Sequence, residues 1–227
     1  MTKISIIIPT LNESEKLPVL ISDLAEIEKD AEIIIVDANS EDMTKEISII
    51  SGAKYLSVEN GNRGLQLNYG AREAKGKWLL FLHADSRFEK NWSKEIHSVI
   101  TRNIDFIYFF KFKIKNKKFI YRFLEFFVNI RSSFFKIPYG DQGLLINKKN
   151  FFKQNGFNEI PIMEDIDFIS RVKKKENLIP LKTSIFTSHR KWDKKSVIIQ
   201  SIRNWQYRKR WLQGRSLKDI YAEYYKQ

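Results

Sequence analysis

Four polar side chains directly follow short apolar segments in the first hundred residues, and their chemical types suit ligand binding. They are Thr10, Asn12, Asp37 and Asp85. A carboxylate such as that of Asp85 is a ligand for hard divalent cations, which prefer oxygen donors. A cation held there would neutralise the charge that develops on a diphosphate leaving group. Asp37 could accept hydrogen bonds from a ribose or a base, although an aspartate that caps a helix or a turn is the simpler interpretation.

The apolar segments before these side chains have the length and composition of buried strands. We predict strands over residues 4–9, 32–36, 54–58 and 78–82, and amphipathic helices over residues 13–29, 41–50 and 65–74. Ser40 is expected to cap the second of these helices. Strands that alternate with helices predict a mostly parallel sheet with helices on both faces. Because ligands bind beyond the carboxyl ends of such strands, Thr10, Asp37 and Asp85 should converge on one site.

The second half of the chain differs from the first in its aromatic and basic content. The pattern predicts strands over residues 106–114 and 144–146, and helices over 119–135, from about 165, and over 195–213. A capping-box pattern at residues 216–219 introduces a final short helix. Because the sequence contains neither an internal repeat nor a low-complexity linker, we predict one domain over residues 1–227. Its expected parts are residues 1–103, residues 104–192 and a helical tail over residues 193–227.

Composition and charge limit the kinds of partner. The chain has no cysteine, which excludes disulfides, thiolate metal sites and cysteine nucleophiles. Its 40 Lys and Arg against 27 Asp and Glu give a net charge of +13, which favours nucleic acid, anionic lipid or phosphorylated substrates. No stretch approaches the roughly 20 apolar residues of a membrane-spanning helix. We therefore expect a cytoplasmic protein that is soluble or peripheral on the inner face of the membrane.

An ordered set of motifs makes the chain similar to a known enzyme family. The stretches ISIIIPTLNE, IIIVDANSED and LLFLHADS resemble the opening of family 2 glycosyltransferases of the GT-A fold. A small single-domain bacterial group within this family carries an Arg-Gly segment followed by three triplets. The corresponding residues here, in the same order, are Arg63-Gly64, His83-Ala84-Asp85, Gly140-Asp141-Gln142 and Met163-Glu164-Asp165. The resemblance covers residues 3–192.

The resemblance implies a Rossmann-like α/β fold, GT-A, with a mostly parallel sheet flanked by helices and a short helical tail. It also implies the transfer of a single sugar from a nucleoside diphosphate sugar to an acceptor hydroxyl, with inversion and with a divalent cation, Mn²⁺ or Mg²⁺. Residues 1–103 would then bind the nucleotide sugar, and residues 104–192 would hold the acceptor and the catalytic base. Because uridine diphosphate is the family's commonest carrier, a UDP-sugar is the preferred donor. The acceptor stays open, and a lipid-linked molecule is one candidate.

The resemblance further implies roles for individual residues. The nucleotide pocket would be lined by Pro9, Thr10, Glu13, Asp37, Ser40 and Asp42. Arg63 would face the nucleotide or its diphosphate, and Arg190 is a second candidate for the diphosphate. Asp165 would be the catalytic base that takes the proton of the acceptor hydroxyl. On the acceptor side of the donor sugar the resemblance implies Asp141, Gln142 and Glu164.

The expected metal site departs from the family pattern. Asp85 corresponds to the last acid of the family's Asp-X-Asp motif, but His83 stands where the first acid would be, so one acidic ligand is missing. His83 either binds a softer cation such as manganese or only packs. His189 lies where many GT-A enzymes place a late metal or phosphate ligand, although a structural histidine is the alternative.

Other functional classes fit the sequence less well. A nucleic-acid-binding protein would explain the charge, but acids at strand ends repel phosphate backbones and no known binding motif occurs, so no nucleic acid is expected. A Rossmann methyltransferase or dehydrogenase needs a glycine-rich turn after the first strand, and here that turn is Pro-Thr-Leu-Asn. A non-catalytic GT-A domain stays open because of the acid missing at His83.

Two basic and aromatic stretches, residues 117–127 and 203–215, raise a separate question. Placed on helices, they could lie in a membrane interface or shape an acceptor groove. The alternative is that Phe123, Phe126, Phe127 and Ile130 pack against the sheet. Our hypothesis is that these stretches bring the enzyme to a lipid-borne acceptor.

Overall fold

The four strands predicted in the first half form the parallel part of an eight-stranded sheet. The computed structural model describes residues 3–59, 61–116, 118–187 and 197–225. These strands are β1 (Ile4–Thr10), β2 (Ala31–Asp37), β3 (Lys54–Ser57) and β4 (Trp78–Phe81). They pair in the order β3-β2-β1-β4, and the register sets Thr10 of β1 beside Asp37 of β2. Two polar strand ends are thus neighbours, as strand direction predicts.

The second half of the chain extends this sheet beyond β4. It contributes β5 (Arg87–Phe88), β6 (Ile107–Ile114), β7 (Leu144–Asn147) and β8 (Leu178–Thr187). The full order is β3-β2-β1-β4-β7-β6-β8-β5, in which β7 and β5 run against the other strands. The predicted mostly parallel sheet is therefore confirmed. Strand β8 was not predicted, because Pro180 lies within it and proline usually marks an edge or a bulge; a bulge does interrupt its pairing with β6.

Helices cover both faces of the sheet and form the tail. They are α1 (Leu17–Leu24), α2 (Thr44–Ile50), α3 (Arg63–Glu73), α4 (Trp92–Arg102), α5 (Phe119–Ser133), α6 (Lys148–Lys153), α7 (Glu164–Val172), α8 (Val197–Leu212) and α9 (Leu217–Tyr225). Short 3₁₀ turns cover Glu28–Asp30 and Gly140–Gln142. Helices α4 and α6 were not predicted. Helix α1 starts four residues later than expected, because the backbone of residues 12–14 is bonded to another loop.

The core is divided by the sheet into two layers. Successive residues of β1 point to opposite faces, so Ile6 and Ile8 pack with α1 and α4 while Ile7 packs with α3. All of these side chains are fully buried, which explains the uninterrupted apolar run of this strand. Burial at both faces holds β1 and β4 rigidly and fixes the position of the residues at their carboxyl ends.

The helical tail packs against the segment before α7. Ile162, Tyr207 and Ile220 form a small buried cluster that ties α8 and α9 to this segment. The predicted helical tail is thus confirmed. Within the described parts of the chain, no helix has the length and the apolarity needed to span a bilayer.

Candidate functional site

The site is built from the carboxyl ends of β1 and β2. Asp37 ends β2 with a fully buried carboxylate that accepts four hydrogen bonds. The donors are Thr10 Oγ1 at 2.8 Å, the Ser40 N–H at 2.7 Å, Ser40 Oγ at 2.6 Å and Tyr55 Oη at 3.1 Å. These bonds satisfy the buried charge and join the two strand ends into one rigid unit. The structure thus gives Asp37 an organising role beneath the site, and its contact with the base of a nucleotide stays a prediction.

Tyr55 of β3 was missed by the sequence argument. Burial, together with the charge of Asp37, raises the pKa of the Tyr55 hydroxyl. The neutral hydroxyl therefore stays a donor to Asp37 across the physiological pH range. A tyrosine in a weak edge strand gives no sequence signal for this contact.

The loops after β1 and β2 are clamped together by side chains. Three consecutive backbone N–H groups donate to three side-chain oxygens: Asn12 to Ser40 Oγ at 2.7 Å, Glu13 to Thr44 Oγ1 at 3.0 Å and Ser14 to Asp42 Oδ2 at 2.9 Å. Ser40 was expected to cap α2. It does not do so, because its hydroxyl is already bonded to Asp37 and Asn12. Partial burial opposes ionisation of Asp42, but hydrogen bonds from Thr44 and Ser14 outweigh it and lower its pKa to about 2.

A cleft of about 670 Å³, here called the large cleft, opens beside these loops. Its volume lies in the range of sites for small-molecule ligands. Its lining brings together residues predicted from separate motifs, namely Pro9, Thr10, Glu13, Arg63, Glu164 and Asp165. Three tyrosines of the tail, Tyr207, Tyr221 and Tyr224, complete one side. Four of the predicted donor residues and the predicted catalytic base thus share one cleft, whereas Asp37, Ser40 and Asp42 do not line it.

Gln66 of α3 also lines the large cleft and was not predicted. Its side-chain amide donates to the carbonyl oxygens of Thr10 at 2.9 Å and Val36 at 2.7 Å. Both carbonyls belong to strand ends, so Gln66 fixes α3 against the site. In the sequence this residue looks like any polar residue of an amphipathic helix.

The Arg-Gly segment begins α3 at the cleft. Asn62 caps this helix by accepting a hydrogen bond from the Leu65 N–H at 2.9 Å. A Cβ at Gly64 would lie 2.4 Å from the carbonyl oxygen of Asn158, so only glycine permits this approach of α3 to the loop before α7. The close approach sets Arg63 next to the acidic start of α7.

Arg63 pairs with Glu164 across the cleft. The distance from Arg63 Nη1 to Glu164 Oε1 is 3.2 Å, and the Glu164 side chain is almost fully buried whereas that of Arg63 is 43% exposed. Burial raises the pKa of Glu164; the charge of Arg63 opposes this rise and that of Asp165 adds to it. Glu164 was expected on the acceptor side, and the structure sets it in an ion pair with the predicted diphosphate ligand.

Asp165 is oriented by two backbone N–H groups. Its Oδ2 accepts from Gly140 at 2.5 Å and its Oδ1 accepts from Ile166 at 2.7 Å. The residue lies in the first turn of α7, where the helix dipole favours a negative charge. Its carboxylate is partly exposed and lines the large cleft. A partly exposed and fixed carboxylate has the geometry that a general base requires.

A second, smaller pocket lies behind the large cleft and is mostly apolar. Arg63, Tyr139, Glu164 and Asp165 line both spaces. The small pocket is completed by His83 and Gly140 and by the apolar residues Leu67, Phe81, Leu82, Pro138, Leu144, Phe157 and Ile169. Asp165 therefore lies between the large cleft and the small apolar pocket.

His83 and Asp85 belong to one tight turn after β4. The Ser86 N–H donates to the carbonyl oxygen of His83 at 3.1 Å, which closes the turn. Ala84 and Ser86 are buried, whereas His83 and Asp85 are partly exposed. The turn therefore leaves the imidazole and the carboxylate accessible to a ligand.

His83 also lies close to the predicted base. A Cβ on Gly140 would stand 2.9 Å from His83 Nε2 and 3.1 Å from Asp165 Oδ2. Glycine at this position leaves room for both groups, which gives a physical reason for the Gly-Asp-Gln triplet. The three motifs around His83, Gly140 and Asp165 thus meet at one point.

The expected cation was tested against this donor set. Among the described residues there is no cluster of three or more His, Asp, Glu or Cys side chains that could hold a metal. Asp85 and His83 offer one carboxylate and one imidazole from a single turn, donor types that a divalent cation accepts. Asp85 lines neither of the two pockets, so its role as a cation ligand stays a prediction. His189 and Arg190 lie outside the described residues.

The expectation for Gln142 needs correction. Its side chain is fully buried, and its amide donates to the carbonyl oxygen of Phe110 and to Ser132 Oγ, each at 3.1 Å. Its Oε1 accepts from Arg131 Nη2 at 3.2 Å. Gln142 therefore joins α5 to β6 and does not reach an acceptor, because its hydrogen-bonding groups are used inside the protein. Asp141, in the same 3₁₀ turn, is partly exposed.

Tyr139 is a further residue of the site that the sequence argument missed. It precedes the Gly-Asp-Gln triplet and lines both pockets. The guanidinium carbon of Arg131 lies 3.4 Å from the centre of its ring, a cation–π contact that fixes the ring. Tyr139 thus links helix α5 to the backbone that holds Asp165.

The fold and the site define a class of protein. A mostly parallel α/β sheet, with a ligand-sized cleft at its strand ends and a fixed carboxylate in the lining of that cleft, matches the GT-A arrangement. A model of the family described as glycosyl transferase family 2 matches residues 5–169. The chain therefore belongs to glycosyl transferase family 2.

Similar proteins agree with this assignment. A glycosyltransferase of Rickettsia typhi is 38% identical over 91 residues, which cover 39% of this chain and 29% of the relative. A glycosyltransferase of Haemophilus influenzae is 28% identical over 194 residues, covering 79% of this chain and 65% of the relative. The chain therefore spans less than two thirds of the length of either relative.

Solved structures share the fold. S. aureus TarS in complex with UDP-GlcNAc has a TM-score of 0.66 at 19% identity, covering 83% of this chain and 59% of that one. Glucosyl-3-phosphoglycerate synthase from Mycobacterium tuberculosis, in complex with Mn²⁺, UDP and glucosyl-3-phosphoglycerate, has a TM-score of 0.58 at 15% identity and covers 79% of this chain and 70% of that one. At these identities the likeness establishes the fold alone.

Proposed function

We propose that the chain transfers a single sugar from a nucleoside diphosphate sugar to an acceptor hydroxyl, with inversion at the anomeric carbon. The observation that carries the proposal is the position of Asp165. Its carboxylate is held by the Gly140 N–H at the large cleft, which Thr10, Glu13 and Arg63 also line. One base and one donor cleft are what a single displacement requires.

The preferred donor is a UDP-sugar. The TarS complex contains UDP-GlcNAc, and the mycobacterial synthase complex contains UDP. Both proteins share the fold of this chain, and their ligands support the same donor class here. The large cleft, at about 670 Å³, is of a size that suits a nucleotide sugar.

In the proposed reaction, Asp165 takes the proton of the acceptor hydroxyl while the oxygen forms a bond to the anomeric carbon. The bond from that carbon to the diphosphate oxygen breaks, and its electron pair leaves on the diphosphate. Attack from the side opposite the leaving group inverts the anomeric centre. Arg63, which lines the same cleft, would compensate the charge of the diphosphate.

A divalent cation, Mn²⁺ or Mg²⁺, is part of the proposal, with Asp85 and His83 as its protein ligands. Such a cation would neutralise charge on the leaving diphosphate. Asp85 supplies the oxygen donor that both cations accept, and His83 favours manganese over magnesium because imidazole is the softer ligand.

We further propose a lipid-borne acceptor and a peripheral position on the cytoplasmic face of the membrane. The supporting observation is that the residues just before Gly140 follow an exposed aromatic helix, α5. The alternative function is a nucleotide-binding GT-A domain without catalysis. The histidine at position 83 favours that alternative, and binding without turnover would identify it.

The first test is isothermal titration with UDP and GDP, with and without Mn²⁺. We expect UDP to bind more tightly, Mn²⁺ to strengthen binding by about tenfold or more, and Asp85→Ala to remove the effect of Mn²⁺. Glu73→Ala, at the far end of α3 in a surface ion pair with Lys54, is the control and should bind as wild type. Failure of both nucleotides to bind would overturn the proposal.

Catalysis is tested separately with Asp165→Asn and labelled UDP-hexoses, using membrane lipid extracts as acceptors. The amide keeps the shape of the carboxylate but cannot take a proton, so transfer should fall by about 10²- to 10⁴-fold. UDP affinity should stay within about twofold of wild type, since Asp165 acts on the acceptor. Equal turnover by the variant would remove Asp165 from the mechanism.

A further inference from the structure

Helix α5 and the residues after it expose an unusual number of large apolar side chains. Their exposed fractions range from 37% for Ile130 to 78% for Phe134. The set, here called the aromatic face, comprises Phe119, Ile120, Phe123, Phe126, Phe127, Ile130, Phe134 and Phe135. The alternative interpretation, in which four of these residues pack against the sheet, is therefore wrong. Contiguous exposed apolar surface of this extent marks a site of interaction.

The polar side of α5 explains why its aromatic side faces outward. Glu125 is buried and accepts a hydrogen bond from the backbone N–H of Ile114 in β6 at 2.7 Å. The Asn129 amide accepts from the Phe112 N–H at 2.9 Å and donates to the Phe112 carbonyl at 3.0 Å. These side chains bind the backbone of β6 as a neighbouring strand would. The helix is thus anchored to β6 by these polar side chains, together with Tyr121, Leu124 and Val128, which pack with Phe112 and Ile114.

The charge around the aromatic face is strongly positive. Residues 111–136 contain eight Lys or Arg and one acid, a net charge of +7 out of +13 for the whole chain. The one acid is Glu125, which is buried and paired with Arg122 at 2.6 Å. Exposed lysines such as Lys111, Lys115 and Lys118 flank the apolar residues. No exposed acid within residues 111–136 offsets them.

We propose that the aromatic face is a docking surface for an anionic lipid bilayer. Phenylalanine side chains enter the boundary between headgroups and acyl chains, while lysine and arginine side chains bind anionic headgroups. A second copy of the chain is a poorer occupant, because two surfaces of net charge +7 repel each other. A bilayer supplies both an apolar layer and the opposite charge.

Docking through this face would position the catalytic site at the membrane. Phe134 and Phe135 are followed after three residues by Tyr139, whose ring is held by Arg131 of α5. The next residue, Gly140, donates to Asp165. The link to a lipid-borne acceptor rests on the proposed function, whereas docking itself does not.

The test is flotation of the full-length protein with phosphatidylcholine vesicles and with vesicles containing 30% phosphatidylglycerol in about 0.1 M salt, where charges are screened beyond roughly 10 Å. We expect flotation with the anionic vesicles and about tenfold weaker binding to the neutral ones. Phe126→Ser/Phe127→Ser, whose wild-type side chains are 59% and 62% exposed, should lose about tenfold or more in binding. Ile49→Ser/Ile50→Ser is the matched control, because these α2 side chains are 56% and 86% exposed away from the aromatic face. This control should float as wild type.

Three outcomes would overturn the proposal. The first is that the wild type stays in the soluble fraction with both vesicle types. The second is that both double variants float equally well. The third is that light scattering shows a dimer that only the Phe126→Ser/Phe127→Ser variant loses. Circular dichroism and UDP titration establish that each variant is folded. Flotation without any UDP binding would refute the proposed sugar transfer and leave docking intact. UDP binding and transfer without flotation would refute docking, together with the peripheral membrane position, and leave the proposed sugar transfer intact.

Discussion

At the scale of single residues, the site depends on how the protein holds its charges. Asp37 is buried and fully bonded, Asp165 is partly exposed and fixed by two N–H groups, and Glu164 is buried opposite Arg63. Three carboxylates within one cleft region therefore have three different environments. The environment of each carboxylate, more than its residue type, therefore distinguishes its chemical properties from those of the other two.

Glu164 gives a prediction about pH. Its pKa is raised in the folded state above the ordinary 4.5, so the folded protein binds more protons than the unfolded chain between 4.5 and the folded value. The free energy of unfolding should therefore fall as pH rises through this interval. Glu164→Gln should lack this decrease and should be as stable as wild type, or more stable, at pH 7, since it removes a buried charge and leaves Arg63 43% exposed.

Urea unfolding of both proteins between pH 4 and pH 8 provides the measurement. The same variant should bind UDP more weakly, because Arg63 loses the partner that orients it. A variant that keeps the wild-type pH dependence would show that Glu164 is ionised normally in the folded protein.

At the scale of elements, close approaches between helices and loops set the site. Helix α3 begins against the loop before α7, and the contact is possible because Gly64 has no side chain. Gln66 then ties the same helix to the ends of β1 and β2. The start of α3 is thus a junction between the half of the chain that is predicted to bind the nucleotide and the half that carries Asp165.

Gly64→Ala should damage this junction. The added Cβ would meet the backbone oxygen of Asn158 at 2.4 Å, so the helix or the loop must move. We expect a loss of about 1–3 kcal/mol in the free energy of unfolding, although alanine normally stabilises a helix over glycine. Arg72→Ala, at an exposed position of α3, should change stability by less than about 0.5 kcal/mol.

Chemical denaturation measures both variants, and UDP titration follows the effect on Arg63. A Gly64→Ala protein that is more stable than wild type and binds UDP normally would show that the contact between α3 and the loop before α7 does not depend on Gly64.

At the scale of the whole molecule, the tail completes the large cleft although it lies beyond the residues matched by the family. Tyr207, Tyr221 and Tyr224 line the cleft. Tyr207 is buried with Ile162 and Ile220, which couples the tail to the segment that leads into α7. The tail and the segment that leads into α7 thus share one small core.

Tyr207→Ala should release the tail. Removal of a buried aromatic side chain lowers the free energy of unfolding by about 3–5 kcal/mol when its site cannot collapse. Here the removed side chain belongs to a small cluster that is separate from the main core. We therefore expect local opening, seen as faster proteolysis or hydrogen exchange within α8 and α9, and weaker UDP binding. Trp205→Ala, whose wild-type side chain in the same helix is 56% exposed, is the control and should leave both unchanged.

Uniform destabilisation of the whole chain by Tyr207→Ala, with no selective change in the tail, would contradict this coupling.

The strand ends and the motifs that meet at the cleft could be predicted from the amino-acid sequence alone. Apolar runs and strand direction are local properties, so the neighbours Thr10 and Asp37 and the acidic start of α7 could be predicted. The roles that the resemblance implies for Asp85, Asp141 and Asp165 stay predictions. Helix α1 was extended too far, because bonds from residues 12–14 to another loop have no local signal.

Which side chains are buried and which are exposed to a partner follows from the tertiary fold. The pattern of α5 fits a helix packed on the sheet equally well, and its aromatic face lies outward because Glu125 and Asn129 bind the backbone of β6. Gln142 was turned inward by the same kind of long-range bond. Whether a side chain is buried depends on contacts between segments that are far apart in the chain. A short stretch of sequence does not contain this information.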